Sequence, residues 1–143
     1  MTQQIGVFDF QVGQAIQSIY LNPSDGRART ILQDKDGNFV LNFVANCNKK
    51  RVGFHTYSKV DNKWSDGTHV EVSTYDFTPQ KKVTVDLIAT EESFCIMADG
   101  QHIYDFKHKM PISSIQKVCF DWVGGTGVPP KLQQLAVKFD QSK

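Results

Sequence analysis

Apolar and polar residues alternate in short runs along most of this chain. Residues 83–87 and 94–98, for example, carry an apolar side chain at every second position. A period of two places one set of side chains on each face of a β-strand. Asp-Gly pairs separate several of these runs, and they suit tight hairpin turns because glycine tolerates a positive φ. The pairs begin at Asp25, Asp36, Asp66 and Asp99.

This alternation predicts eleven strands and no helix. Residues 13–19 offer only Ile16 and Ile19 as an apolar helical face, which is too narrow for an amphipathic helix. Short strands with turns roughly every ten residues indicate an all-β fold, an antiparallel two-sheet sandwich or barrel. The predicted strands cover residues 5–10, 14–20, 27–33, 38–45, 51–57, 69–75, 82–89, 93–98, 102–106, 115–122 and 132–140.

The length and the charge balance narrow the function. A chain of 143 residues fits one domain, 1–143, and buries about two thirds of its unfolded surface without help from a metal or a disulfide. Sixteen Lys and Arg against fifteen Asp and Glu give a net charge of +1. This balance argues against binding nucleic acid through bulk charge. No apolar run approaches the ~18 residues that cross a bilayer, so we expect no membrane insertion.

Cysteine usage and the first residues bear on the compartment. Cys47, Cys95 and Cys119 are odd in number and widely spaced, which matches neither a disulfide framework nor a metal ribbon. Such cysteines are typical of reduced thiols in a reducing compartment. Residues 1–6 lack a basic segment followed by an apolar core, so no signal peptide is expected. We therefore expect a cytoplasmic protein, whose export, where it occurs, does not depend on a signal peptide.

Catalytic and metal-binding motifs are weak. The sequence holds no nucleophile elbow, phosphate loop or His-Glu-x-x-His pattern. His102, Asp105 and His108 are spaced by three, which would place them on one face of a helix. On a strand, however, that spacing brings nothing together. We therefore expect no enzymatic activity, no cofactor and no metal.

Polar side chains on neighbouring predicted strands form the more informative pattern. Strand phase directs Asn42, Val44 and Asn46 to one face of their strand. If the polar faces of adjacent strands lie on the same side of the sheet, Asn, Arg, His and Tyr side chains form one surface. The alternative is that these side chains simply face solvent and bind nothing. The side chains expected on the opposite, core face are Phe39, Leu41, Phe43 and Ala45, and those expected on adjacent strands of the polar face are Arg27, Arg29, His55 and Tyr57.

Trp64 favours a binding surface over a solvated face. It lies within 61–67, a polar stretch that favours turns, where a large aromatic side chain is often a binding platform. Sugar rings carry an apolar C–H face that can lie against an indole. Their hydroxyls need fixed hydrogen-bond partners, and the asparagine amide both donates and accepts. This combination predicts carbohydrate binding.

At this point the sequence resembles the galectin family over nearly its whole length. The clearest part is 94–111, with alternating aliphatic residues, a tight turn and a basic stretch before a proline, followed by a strand at 115–120. Val12 to Gln14, with Ile16 and Ile19, is similar to an early strand of the family. The resemblance implies a jelly-roll-like, two-sheet β-sandwich with a sugar groove on one sheet. It also implies metal-free β-galactoside binding, glycan or glycoprotein partners and frequent homodimers.

Most residues of this chain at the family's sugar-binding positions differ from the family's motif. The family's His-x-Asn-x-Arg falls on Asn42, Val44 and Asn46, and its next Asn falls near Tyr57. The Glu and Arg expected after the tryptophan fall on Gly67 and His69, so only Trp64 matches. Each lost hydrogen-bond partner costs on the order of 1 kcal/mol.

Two hypotheses follow from these departures. In the first, the chain is a lectin with an atypical groove, in which β-galactoside binding is weak or replaced by another glycan. Its predicted carbohydrate-binding residues are Trp64, for stacking, and Asn42, Asn46, His55, Arg29 and His69, as hydroxyl partners. In the second, the fold has lost sugar binding and acts as a protein-interaction or structural module.

Overall fold

A computed structural model describes residues 2–48, 51–64, 70–72 and 75–139. Within these ranges the chain forms twelve strands and one short 3-10 turn, Ile112–Ser114. No helix in the described part is long and apolar enough to cross a bilayer. The strands are β1 (Thr2–Gly6), β2 (Gln14–Leu21), β3 (Arg27–Gln33), β4 (Phe39–Asn48), β5 (Arg51–Val60), β6 (Lys63–Trp64), β7 (Val70–Val72), β8 (Lys82–Ala89), β9 (Ser93–Ala98), β10 (Gln101–Lys107), β11 (Lys117–Val123) and β12 (Lys131–Phe139).

The strands form two sheets in which each pair is antiparallel. The larger sheet has seven strands in the order β1-β11-β3-β4-β5-β6, with β7 also pairing with β5. The smaller sheet has five, in the order β10-β9-β8-β2-β12. This architecture confirms the predicted all-β, two-sheet sandwich.

One hydrophobic cluster lies between the sheets. In β8 and β9 every second side chain is buried, as the period-two pattern predicted. Aromatic rings join the layers: the ring of Tyr20 on β2 lies 4.9 Å from that of Phe120 on β11, and the ring of Phe54 on β5 lies 6.3 Å from that of Tyr104 on β10. Ring pairs at these separations add to the stability that their burial provides.

The strand predictions were wrong for the first strand and near Trp64. The first strand is Thr2–Gly6, and the predicted span 5–10 continues into a turn. Asp9 has a φ of 51°, a left-handed conformation that a strand does not accommodate. Val7 and Phe10 are nevertheless buried, because the turn anchors them in the core. The two-residue strand at Trp64 was not predicted.

A β-bulge in β4 moves Phe39 to the face opposite the one predicted. Phe39 pairs with Lys59 and Asn42 with Tyr57, so Val40 and Leu41 together oppose the single residue between those partners. Both are buried in the core, at 2% and 0% exposure. The extra residue reverses the side-chain phase, so Phe39 lies on the same side as Asn42. Leu41, Phe43 and Ala45 face the core as expected.

A second bulge, in β10, contradicts the expectation that His102 and Asp105 stay apart. The register shifts between His102 and Tyr104, so His102 pairs with Met97 and Asp105 pairs with Cys95. Met97 and Cys95 are two residues apart and share one face of β9. His102 and Asp105 therefore lie on the same face, with Nε2 of His102 2.8 Å from Oδ1 of Asp105.

Candidate functional site

The strand register of the larger sheet brings the predicted polar side chains onto one face. Arg29 lies opposite Val44, and Val44 lies opposite His55, across β3, β4 and β5. One step along, Arg27 lies opposite Asn46. The faces of these three strands therefore coincide, as the sequence pattern required for a common polar surface.

A cavity of about 300 Å³ opens on this face near the short strand β6. Arg27 from β3, His55 and Tyr57 from β5, and Trp64 from β6 line it. Arg27 has an exposed side chain, and those of His55 and Tyr57 are half-buried. The cavity therefore combines two aromatic rings with a guanidinium, an imidazole and a phenol hydroxyl.

Neighbouring side chains hold Trp64 in place. The indole is 45% exposed, and it meets the Tyr57 ring edge-on with the centroids 4.3 Å apart. Phe39, turned to this side by the β4 bulge, meets it edge-on at 5.7 Å. The Lys59 ammonium lies 4.7 Å from the centre of the indole, a cation–π distance. Trp64 is thus a fixed, partly accessible aromatic surface with a cation against it.

Arg29 is engaged by a partner on the next strand. Its guanidinium donates two hydrogen bonds to the Asp121 carboxylate, Nε to Oδ1 at 2.8 Å and Nη2 to Oδ2 at 2.6 Å. This bonding raises the pKa of Arg29. Bidentate arginine–carboxylate pairs have fixed geometry. The pair orients Arg29 toward β11, and Arg29 does not line the cavity.

The two asparagines of β4 lie beneath the polar face. Asn42 is 0% exposed and Asn46 is 6% exposed. Neither amide atom of Asn42 has a hydrogen-bond partner among the described residues. Its neighbours across the flanking strands are Ile31 and Tyr57. Because the Asn42 side chain is fully buried, a glycan in the cavity would not reach its amide without a rearrangement.

Two arginine side chains place positive charge near the Tyr57 hydroxyl. Burial raises the pKa of the Tyr57 hydroxyl, and the nearby charges of Arg29 and Arg27 act in the opposite direction. Because the Arg29 charge is matched by Asp121, Arg27 is the cavity-lining cation without a carboxylate partner in the described hydrogen bonds and ion pairs. A positive field of this kind favours an electron-rich or anionic group.

The structure places the predicted site residues in three groups. His55 and Trp64 line the cavity, whereas Arg29, Asn42 and Asn46 do not. His69 lies outside the described residues. Two lining residues, Arg27 and Tyr57, were missing from the predicted set. Strand phase had placed both on the correct face, and that signal could have identified them.

Comparison with solved structures defines the class of fold. A tetrameric galectin from the ball sponge Cinachyrella sp. is similar over 97% of this chain and 100% of that chain, with a TM-score of 0.86 and 17% identity. A galectin from Caenorhabditis elegans, LEC-6, is similar over 92% of this chain and 90% of that chain, with a TM-score of 0.73 and 20% identity. The sandwich is therefore of the galectin type.

Sequence comparison then gives the family. Residues 15–121 match the family described as galactoside-binding lectin. A galactose-binding lectin from Chondrilla caribensis is 28% identical over 133 residues, which cover 85% of this chain and 90% of the relative. This chain therefore belongs to the galactoside-binding lectins, the galectin family, whose members are carbohydrate-binding lectins.

Proposed function

We propose that this chain is a lectin that binds glycans in the cavity lined by Arg27, His55, Tyr57 and Trp64, and that β-galactoside binding there is weak or replaced by another glycan. The observation that carries the proposal is the cavity itself, which lies on the polar face beside an exposed tryptophan held by two aromatic rings. We propose no enzymatic role for the chain.

The chemistry of the lining suits a sugar ring. An indole offers a flat apolar surface for the C–H face of a pyranose. Arginine, histidine and tyrosine supply donors and, for His55 and Tyr57, acceptors that hydroxyl groups require. The cavity of about 300 Å³ is at the lower end of small-molecule sites, which suits one or two sugar rings.

The family's galactose-recognition pattern has little counterpart here. By the resemblance to the family, the motif positions on β4 fall on Asn42, Val44 and Asn46, and the two asparagines are buried. A site that discriminates through hydrogen bonds loses selectivity when its partners are absent. This supports reduced affinity for simple β-galactosides.

Two cations near the indole bear on which glycan would replace galactose. Arg27 lines the cavity, and the Lys59 ammonium lies against Trp64. Guanidinium groups bind carboxylate and sulfate-like oxygens through paired hydrogen bonds. We infer that a glycan with an anionic substituent binds better than its neutral counterpart.

The second candidate function is a galectin-fold module that has lost sugar binding. The Lys59 ammonium favours it, because it occupies space over the ring that a sugar would stack on. The burial of Asn42 and Asn46 favours it too. In this role the chain would act through protein contacts, such as a homodimer. For the first candidate, the lectin, we also propose glycoprotein partners, synthesis in the cytoplasm and export that does not depend on a signal peptide.

A glycan array separates the two candidates. The native chain, Trp64→Ala and Phe139→Ala would be applied to neutral, sialylated and sulfated galactosides and to unrelated glycans. Phe139 is the matched control, because it is an exposed aromatic residue on β12, in the other sheet. We expect signal for the native chain and for Phe139→Ala, strongest on anionic glycans, and none for Trp64→Ala.

Other outcomes would contradict specific parts of the proposal. Equal signal on neutral and anionic glycans would refute the role assigned to Arg27 and Lys59. A signal that persists in Trp64→Ala would refute the assigned cavity. A blank array from chain that melts cooperatively would favour the second candidate, and sedimentation of the same sample would then report self-association.

A further inference from the structure

A cluster of metal-ligating side chains lies on the outer face of the five-stranded sheet, in the other sheet from the glycan cavity. It consists of the Cys95 thiol on β9 and the His102 imidazole and Asp105 carboxylate on β10. Cys95 is half-buried, and the other two side chains are exposed to solvent. Neither the fold nor the glycan cavity accounts for this combination.

The β10 bulge creates the cluster. Without it, His102 and Asp105 would be three residues apart on a regular strand and would point to opposite faces. The extra residue, Ile103, turns inward and is 6% exposed, while His102 and Asp105 both turn outward beside Cys95. Bulges re-aim side chains in this way next to functional sites.

The distances suit a bound cation. One ligand atom from each residue lies within 4.8 Å of each of the others. In tetrahedral coordination, metal–ligand bonds of about 2.0–2.3 Å place ligand atoms roughly 3.3–3.8 Å apart. His102 Nε2 and Asp105 Oδ1 already face each other at 2.8 Å. When a cation enters, these two atoms separate by about 0.5 Å and the neutral imidazole carries its one proton on Nδ1, which leaves Nε2 free to ligate. Small side-chain rotations therefore suffice to form the site.

The donor set selects the kind of metal. Thiolate, imidazole and carboxylate together are ligands of Zn²⁺, whereas hard cations such as Mg²⁺ and Ca²⁺ prefer oxygen alone. Met97 places its thioether sulfur 3.9 Å from the Cys95 sulfur, which adds a soft donor at the edge of the cluster. A softer ion such as Cu⁺ would favour the two sulfurs but would gain little from the carboxylate.

We propose that Cys95, His102 and Asp105 form a zinc site with an open fourth position. The thiol proton passes to solvent when the ion binds, because the thiolate is the ligand. The site needs one chain only, and it is independent of the glycan cavity.

Metal titration of the intact chain tests this assignment. Co²⁺ serves as the spectroscopic probe, since thiolate ligation gives it a near-ultraviolet charge-transfer band, and Zn²⁺ is then added as competitor. We expect one equivalent of Co²⁺ to bind with that band and Zn²⁺ to displace it. Cys95→Ser and His102→Gln should each weaken binding at least about 100-fold.

Cys119→Ser is the matched control. Cys119 is also half-buried and reduced, but it lies on β11 in the other sheet, next to the side chains of Gln4 and Gln33. This variant should bind Co²⁺ as the native chain does. Thermal unfolding would first show that each variant has the same melting temperature as the native chain.

Three results would overturn the proposal. The first is a thiolate band that survives Cys95→Ser or disappears in Cys119→Ser. The second is half an equivalent of metal accompanied by dimer formation, because the ion would then be shared between two chains. The third is tight Cu⁺ binding with no Zn²⁺ binding.

Discussion

Replacing Asn42 with leucine should stabilise the protein. Asn42 is 0% exposed, and neither amide atom has a hydrogen-bond partner among the described residues. Burying an unsatisfied amide costs about 1–3 kcal/mol relative to an apolar group of the same shape. Leucine has the same number of side-chain heavy atoms, and the neighbours Ile31 and Val44, both 3% exposed, provide apolar surroundings.

Two terms set the expected magnitude for Asn42→Leu. Removing the unsatisfied amide contributes about 1–3 kcal/mol of stability, and imperfect fit of the branched methyl groups subtracts on the order of 1 kcal/mol. The net change is therefore about 0 to +2 kcal/mol in the free energy of unfolding, centred on about +1 kcal/mol. Thermal unfolding followed by calorimetry should show a melting temperature higher by roughly 4 °C, and by about 8 °C at most.

Ser58→Ala is the matched control for this measurement. Ser58 is also 0% exposed, but its hydroxyl donates a 2.9 Å hydrogen bond to the Val40 carbonyl oxygen. Removing a satisfied buried hydrogen bond should lower the free energy of unfolding by about 1 kcal/mol. If Asn42→Leu also destabilised the chain by this amount or more, the reasoning would be refuted, because the Asn42 amide would then be satisfied in solution. Unchanged glycan binding by Asn42→Leu would agree with its burial beneath the cavity.

Two further predictions concern titratable groups. Hydrogen bonds from the backbone N–H groups of Thr126 and Gly127 lower the pKa of Asp25 below its ordinary value of 3.8. The stability that these bonds supply is therefore fully present above pH 3.8, and it is lost as the pH falls through the lowered pKa of the folded state. Melting temperatures measured from about pH 5 to pH 2 should therefore fall less steeply for Asp25→Asn than for the native chain, and parallel curves would contradict this. Burial raises the pKa of Cys47 to about 12. An aromatic disulfide reagent at neutral pH should therefore modify Cys95 and Cys119 in the native chain, and Cys47 only after unfolding. Rapid modification of all three thiols in the native chain would contradict the burial of Cys47.

The sequence was sufficient to predict most of the fold, because burial in this sandwich follows a period of two. Leu41, Phe43 and Ala45 face the core as their spacing required, and both sheets formed from the expected kind of strand. The failures occur where the period breaks. Phe39 was assigned to the core because no sequence signal marks the bulge at Val40, where the local phase is set by how two strands pair.

The site was harder to predict than the fold for a related reason. Strand phase correctly grouped Arg27, Arg29, His55 and Tyr57 on one face. It could not say that Arg29 would be held by Asp121, which is 92 residues away in sequence. Nor could it say that Asn42, on a central strand between Ile31 and Tyr57, would be fully buried. How accessible a side chain is on a sheet face depends on the lengths of the side chains on the neighbouring strands. The pattern of a single strand does not carry that information.

Both proposed sites depend on positions where the strand period fails. In β4, one extra residue turns Phe39 out of the core and against Trp64, so that the indole has a ring on more than one side. In β10, one extra residue turns His102 to the face that Asp105 already occupies. A regular strand would give a larger core in the first case and two separated polar groups in the second. Natural sequences depart from local consistency mainly at functional or strained sites, and the departures in β4 and β10 each coincide with a cluster of side chains that has binding chemistry. A third irregularity, in β12 between Leu132 and Gln134, lies at the other edge of the smaller sheet from β10 and belongs to neither cluster.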